Sequence, residues 1–347
     1  MKNKLATLLT VLITLALGKL YAQDEEDPGL TISGSVDTYY KYDFSGEPQI
    51  NTSFANAQNS IGIGMVDIIL SKSVGKASFV GEVAFGPRAS SSAPGPVQNL
   101  YVSYQFSDLF SLTGGFMSTF VGYEVISPAL NFNYSTSYLF SYGPFQNSGV
   151  KANFSFSDRF GLMVGIFNQF DSYTNEPYSL SPGGQLFLMP VDGLNMYLNF
   201  VSHESSGTEV DLTSTFQATE QLKIGLNVAH RTMGNFFIDD EGNGVPFHGG
   251  AAYLNYQVSD PFALGLRYEY LTDRQGRISG FDDPNTSEIG DLMTINAVTL
   301  SGNIIAGPLR LIPEIRFDMG SQDIFTDADG NPTGSAAQAL VAAVFAF

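Results

Sequence analysis

The 347-residue sequence predicts an all-β fold: a transmembrane antiparallel up-and-down β-barrel of about 16 strands, with short turns at one rim and long loops at the other. Three observations point there. Segments of about ten residues alternate apolar with polar side chains, the period of a strand whose two faces meet different surroundings. Short and long connections alternate along the chain, as they do when every second turn returns to the same rim. Hydrophobic residues make up 44% of the chain and charged residues only 14%, well below the level usual in soluble domains. Even so, no run after the amino terminus is long enough for a membrane helix.

At the amino terminus, Lys2 and Lys4 precede an uncharged run over residues 5–18, followed by a cleavage site at Leu20, Tyr21 and Ala22. This is the layout of a secretory signal peptide, expected over residues 1–22, with an acidic tail at 23–29 and one barrel domain at 30–347. The chain has no Cys, so neither lipid attachment at the cleavage site nor a disulfide framework is expected. Export without disulfides suits a Gram-negative envelope. The formal charge of -18 becomes -21 once Lys2, Lys4 and Lys19 are removed, leaving 13 basic against 34 acidic residues. Such acidity argues against nucleic acid as a partner.

The alternation is plain in several segments. Leu100, Val102, Tyr104 and Phe106 share one face, while Tyr101, Ser103 and Gln105 take the other. Leu222, Ile224, Leu226 and Val228 alternate with Lys223, Gly225 and Asn227, and Leu309, Leu311, Ile315 and Phe317 with Arg310, Glu314, Arg316 and Asp318. A soluble sandwich shows the same period, so the connections decide. Three hairpins share nearly one turn, Ser107-Asp108, Ser157-Asp158 and Ser259-Asp260, each flanked by apolar residues at a common depth, as an interfacial girdle requires. Long polar links are expected at 45–58, 87–96, 119–147, 171–183, 202–208, 233–247, 273–290 and 320–335. The final segment, AQALVAAVFAF, alternates to a terminal Phe347 and looks like the closing strand by which outer-membrane proteins are recognised.

Strand parity puts Lys41, Lys76, Lys151, Lys223, Arg231, Arg267, Arg310 and Arg316 inside, with Asp37, Asp43, Glu82, Asp211, Glu269, Glu314 and Asp318. So many ions in a dry core are very costly, and a wet lumen is therefore expected. Residues 122–145, GYEVISPALNFNYSTSYLFSYGPF, form the third long loop, which carries a single charge and many aromatics. Exposed, it presents a large apolar patch to water; folded inward, it narrows the channel. The predicted lining is accordingly Tyr123, Glu124, Tyr134 and Tyr138 from the loop. The wall adds Lys41, Glu82, Lys151, Lys223, Arg267, Glu269, Arg310, Glu314 and Arg316.

The stretch from Gly114 to Phe156 resembles the signature region of the OmpL-like β-barrel porin family: a Gly-x-Glu turn after a strand, an Asn-Tyr-Ser patch, then Gly-Pro-Phe leading into a Gly-Val strand. The resemblance implies a passive outer-membrane channel with no catalytic residues. Nothing else in the chain suggests chemistry. His203, His230 and His248 fall near outer strand ends without a metal spacing or nucleophile elbow. The Asp327 to Asn331 stretch lacks the bidentate Glu of a calcium loop, and there is no Gly-rich phosphate loop. The expectation is a non-enzymatic channel for small hydrophilic solutes and ions, without cofactor or metal. It meets outer-membrane lipid and lipopolysaccharide, and associates with copies of itself. The alternatives are a sugar-selective channel and a plugged barrel acting through its outer loops.

Overall fold

The computed structural model describes residues 29–50, 52–175, 179–232, 234, 246–274 and 292–347. The expected signal peptide and all of the acidic tail but Gly29 lie outside these residues, as does the acidic run at Asp239, Asp240 and Glu241.

Fifteen strands follow one another as neighbours: β1 (Thr31–Asp43), β2 (Ser60–Val74), β3 (Ala77–Phe85), β4 (Val97–Ser107), β5 (Phe110–Ser118), β6 (Gln146–Ser157), β7 (Phe160–Phe167), β8 (Ser181–Leu188), β9 (Leu194–His203), β10 (Gly207–Gln217), β11 (Leu222–Thr232), β12 (Pro246–Ser259), β13 (Phe262–Arg274), β14 (Leu292–Ala306) and β15 (Leu309–Gly320). A two-stranded flap, β16 (Phe325–Thr326) and β17 (Pro332–Thr333), precedes the last wall strand, β18 (Ser335–Ala346). β18 pairs with β15 on one side and with β1 on the other, so the sixteen wall strands close into an antiparallel barrel. Closure leaves no unpaired strand edge, which hydrocarbon does not tolerate. At the seam Ser35 lies opposite Ala346, and Gly34 and Phe347 exchange backbone hydrogen bonds at 3.0 Å.

The alternation sorts side chains as expected. Leu100, Val102, Ile166, Val228 and Ile315 stand exposed on the outer face, while Lys41, Arg267 and Asp318 point inward and are buried. At the short-turn rim, Tyr104, Phe106, Phe110, Phe154, Phe156 and Phe160 form a continuous ring ladder with successive centroids 4.8 to 6.3 Å apart, the girdle that the repeated turns implied. The turns carry a second device. Gln105, Gln217 and Gln257 each stand two residues before the turn Ser or Thr. Each reaches across with its amide nitrogen to carbonyls on both sides, Gln217 to Thr219 O at 2.7 Å and Gln257 to Ser259 O at 2.6 Å. These staples hold the hairpin register, and the sequence pattern Gln-x-Ser/Thr-acid announces them.

One expected long loop is short. β9 and β10 are joined through residues 204–206 alone, with Gly207 at φ 88 completing the reversal. Its polar sequence suggested an excursion, but the ladder runs right up to Gly207 opposite His203. His203 then accepts from the Ser205 and Ser206 amides at 3.1 and 3.3 Å and caps the turn. Likewise the Asp327 carboxylate accepts from the Asp329 and Asn331 amides at 2.9 and 2.8 Å, forming the tip of the β16–β17 flap.

Candidate functional site: a loop clamped inside the barrel

The 119–145 segment lies within the barrel. A helical turn, α1 (Pro87–Ser92), sits in the loop after β3, and a second, α2 (Tyr138–Tyr142), lies in the inward-folded segment. α2 begins where the Ser137 hydroxyl accepts from the Phe140 amide at 3.0 Å. It stops at Gly143, since Pro144 cannot continue the helix.

An irregular backbone placed inside a barrel must find hydrogen-bond partners without a neighbouring strand. The wall supplies them as charged side chains. Glu314 on β15 accepts from the Tyr134 and Ser135 amides at 2.9 and 3.2 Å, and Glu269 on β13 accepts from Leu139 at 3.2 Å. Arg267 donates to Ser135 O at 2.6 Å and Thr136 O at 3.3 Å, and Arg316 to Thr136 O at 2.9 Å. Arg310 donates to Pro128 O and Asn131 O. From α1, Arg88 donates to Ile126 O at 3.1 Å and Tyr134 O at 3.2 Å, with its guanidinium over the rings of Phe54 and Tyr134. The loop's own acid, Glu124, joins the set by pairing with Arg267 at 2.6 Å and accepting from the Ser137 amide at 2.7 Å. Anionic acceptors thus meet loop N–H groups and cationic donors meet loop carbonyls, the strong charge-assisted class of hydrogen bond.

Two wall glycines complete the seat. A β-carbon on Gly265 collides with the Phe132 ring, and one on Gly225 with the Tyr123 phenol, so the wall is locally bare where the loop's aromatics press against it. Tyr123 stacks on Tyr253 with centroids 4.2 Å apart. At the loop's far end, the Asp171 carboxylate accepts from the Phe145 and Gln146 amides, both at 2.7 Å, and burial pushes its pKa up to about 6.

The predicted lining residues therefore divide. Tyr134 and Tyr138 do not face a solute path. Both are fully buried, with hydroxyls on Asp37 and Asp318, the latter at 2.7 Å. Lys41, Arg267, Glu269, Glu314 and Arg316 are also buried, and Arg316 pairs with Asp318 at 2.8 Å. For Arg267, Glu269, Glu314 and Arg316, inward charge marks contact with loop backbone rather than with water, because the loop needs ionic partners in place of a ladder. Glu82 and Lys151 remain partly exposed, Glu82 accepting from Asn99 at 2.5 Å. Tyr123, Glu124, Lys223 and Arg310 border one cavity of about 550 Å3 beneath the loop, at the short-turn end. Arg88, Asp171, Gly225 and Gly265 were not anticipated. Only the two glycines, at inward positions of regular strands, left a signal in the sequence.

Around the outer half of the wall, buried inward positions recur: Lys41, Met65, Met117, Phe167, Val201, Ala251, Ile295 and Leu340 come from eight different strands. Ile50, Leu139 and Phe325, from three different loops, pack among these strands' apolar residues. The short-turn half instead presents Tyr101, Ser103, Lys151, Gln185, Thr215, Lys223 and Gln257, all at least partly open to solvent.

The family model described as "Putative beta-barrel porin-2, OmpL-like" matches residues 29–347. The chain belongs to this family. It is a porin of the bacterial outer membrane, a channel for small solutes, and the short turns therefore face the periplasm. No curated protein matches this porin. Among solved structures it is similar to Salmonella typhi OmpF in complex with daunomycin, with TM-score 0.61 and 11% identity over 92% of this chain and 97% of the other. An anion-selective porin from Comamonas acidovorans gives TM-score 0.60 and 15% identity over 92% and 99%. A trimer form of Vibrio cholerae OmpT gives 0.56 and 14% over 92% and 99%. At such identities the likeness concerns the fold.

Proposed function

We propose that the protein is a non-catalytic diffusion porin whose passage is controlled by the clamped 119–145 loop. Its vestibule opens to the periplasm and is lined by Tyr123, Lys223 and Arg310, with Glu82 and Lys151 on the neighbouring wall. The observation that carries this reading is the pairing of the loop backbone with wall ions while the periplasmic half stays open. A static plug has no need of costly buried charge, since well-packed apolar residues hold a plug at least as firmly. Ion pairs released together, by contrast, allow a loop to exchange between two discrete arrangements. The exterior apolar face meets lipid and lipopolysaccharide, and the trimer form of the similar Vibrio cholerae protein supports a homo-oligomer here. Deleting residues 123–145 is expected to raise single-channel conductance in planar bilayers several-fold, and an unchanged conductance counts against loop control.

One feature favours a second reading, a barrel that stays plugged and acts through its outer loops: the outer half of the wall is buried on many strands. Well-folded protein that shows no current, with or without the loop, supports that reading.

A further inference from the structure

The vestibule beneath the loop carries an unusual balance of charge. Two side-chain cations, Lys223 and Arg310, border its 550 Å3 cavity. Among the described residues the arginines of the ion pairs are Arg159, Arg231, Arg267 and Arg316, so neither vestibule cation has a carboxylate partner. Lys223 is exposed. Arg310 donates only to the neutral carbonyls of Pro128 and Asn131, which fix its position without offsetting its charge.

Two acids also border the cavity. Glu124 is neutralised by Arg267 at 2.6 Å, and Glu220 sits on the β10–β11 turn at the mouth, where water and salt screen it. Tyr123, Tyr197 and Tyr253 also border the cavity; burial pushes the Tyr123 phenol up to about 12. Elsewhere among the described residues of the open half, Lys151 on β6 points inward without an acid partner, Glu82 on β3 is held by Asn99, and Lys76, at the exposed rim, donates to Phe106 O at 3.0 Å. The water-accessible wall is thus net positive inside a chain whose formal charge is -18.

We propose that the vestibule is an anion site: it concentrates small anionic solutes, carboxylates or phosphate esters, and gives the pore a preference for anions over cations. This rests on the channel reading above. Fixed charge on a narrow, low-dielectric wall acts on every ion that passes, whereas the acids of the outer loops and turn tips act through bulk salt and fade beyond about 8–10 Å. Lys223 is the residue that sets the preference, because its ammonium is both solvent-exposed and uncompensated.

The test is the reversal potential of the full-length porin in planar bilayers under a potassium chloride gradient, for wild type, Lys223→Gln and Lys223→Glu. Wild type is expected to favour chloride. Lys223→Gln is expected to lower the chloride-to-potassium permeability ratio, and Lys223→Glu to lower it several-fold further or invert it. Potassium preference in wild type, or a ratio unmoved by both substitutions, overturns the proposal while leaving the channel intact. Protein that conducts under no condition overturns the channel reading and the proposal with it.

Discussion

Arg267 and Lys223 both point into the same barrel, two strands apart, and they behave as different kinds of residue. Arg267 is wholly buried, engaged by Glu124, Ser135, Thr136 and Thr299, and serves as backbone solvent for a loop that has no ladder of its own. Lys223 is exposed on the edge of a cavity and has no carboxylate partner. The outer half of the lumen uses charge to hold protein, and the periplasmic half leaves charge available to whatever passes. Parity along a strand tells which side chains face inward; it does not tell what they meet there.

The largest effect that separates the halves is on stability. Arg267→Ala strands the buried Glu124 carboxylate and is expected to cost about 3–5 kcal/mol. Lys223→Ala is expected to stay within about 0.5 kcal/mol, as exposed substitutions usually do. Denaturant unfolding of both variants in detergent reads the contrast, and equal losses erase the distinction between the halves. Gly265→Leu comes next, because it forces the Phe132 ring from its seat. Overpacking of this kind costs about 1–3 kcal/mol, and the loosened loop should also raise conductance.

The last effect is set by pH and concerns Asp171, which ties the loop's end to the barrel. Its folded pKa lies near 6, above the ordinary 3.8, so between these values the folded state holds a proton that the unfolded chain has released. Its contribution to stability therefore grows as pH falls from about 6 toward 4 and is lost as pH rises through 6. Asp171→Asn should flatten that dependence in pH-resolved unfolding.

Much of the fold was legible because strands and turns are local. The Ser-Asp turns, the alternation from Leu100 to Phe106 and the aromatic terminus each announced a piece of the barrel. The inward direction of the 122–145 segment was also legible, since so many aromatics with one charge have no place in water. In the outer half of the lumen, what failed was the inference from inward ions to water. Arg267, Glu269, Glu314 and Arg316 meet a loop brought to them from far along the chain, and no window of sequence contains both partners. The same holds for Tyr134 and Tyr138, whose hydroxyls find Asp37 and Asp318 across the lumen. The link between β9 and β10 misled for the opposite reason: its polar residues cap a tight turn instead of filling a loop.

The seam between β1 and β18 carries a kinetic consequence. Every other wall ladder except that of β15 with β18 joins strands adjacent along the chain, so hairpins are able to zip early at little loop-closure cost. The pairing of Ser35 with Ala346 must wait for the whole polypeptide, which makes it the natural last step of assembly. A chain that lost either terminal strand would be left as an open, curled sheet with two sticky borders in the bilayer.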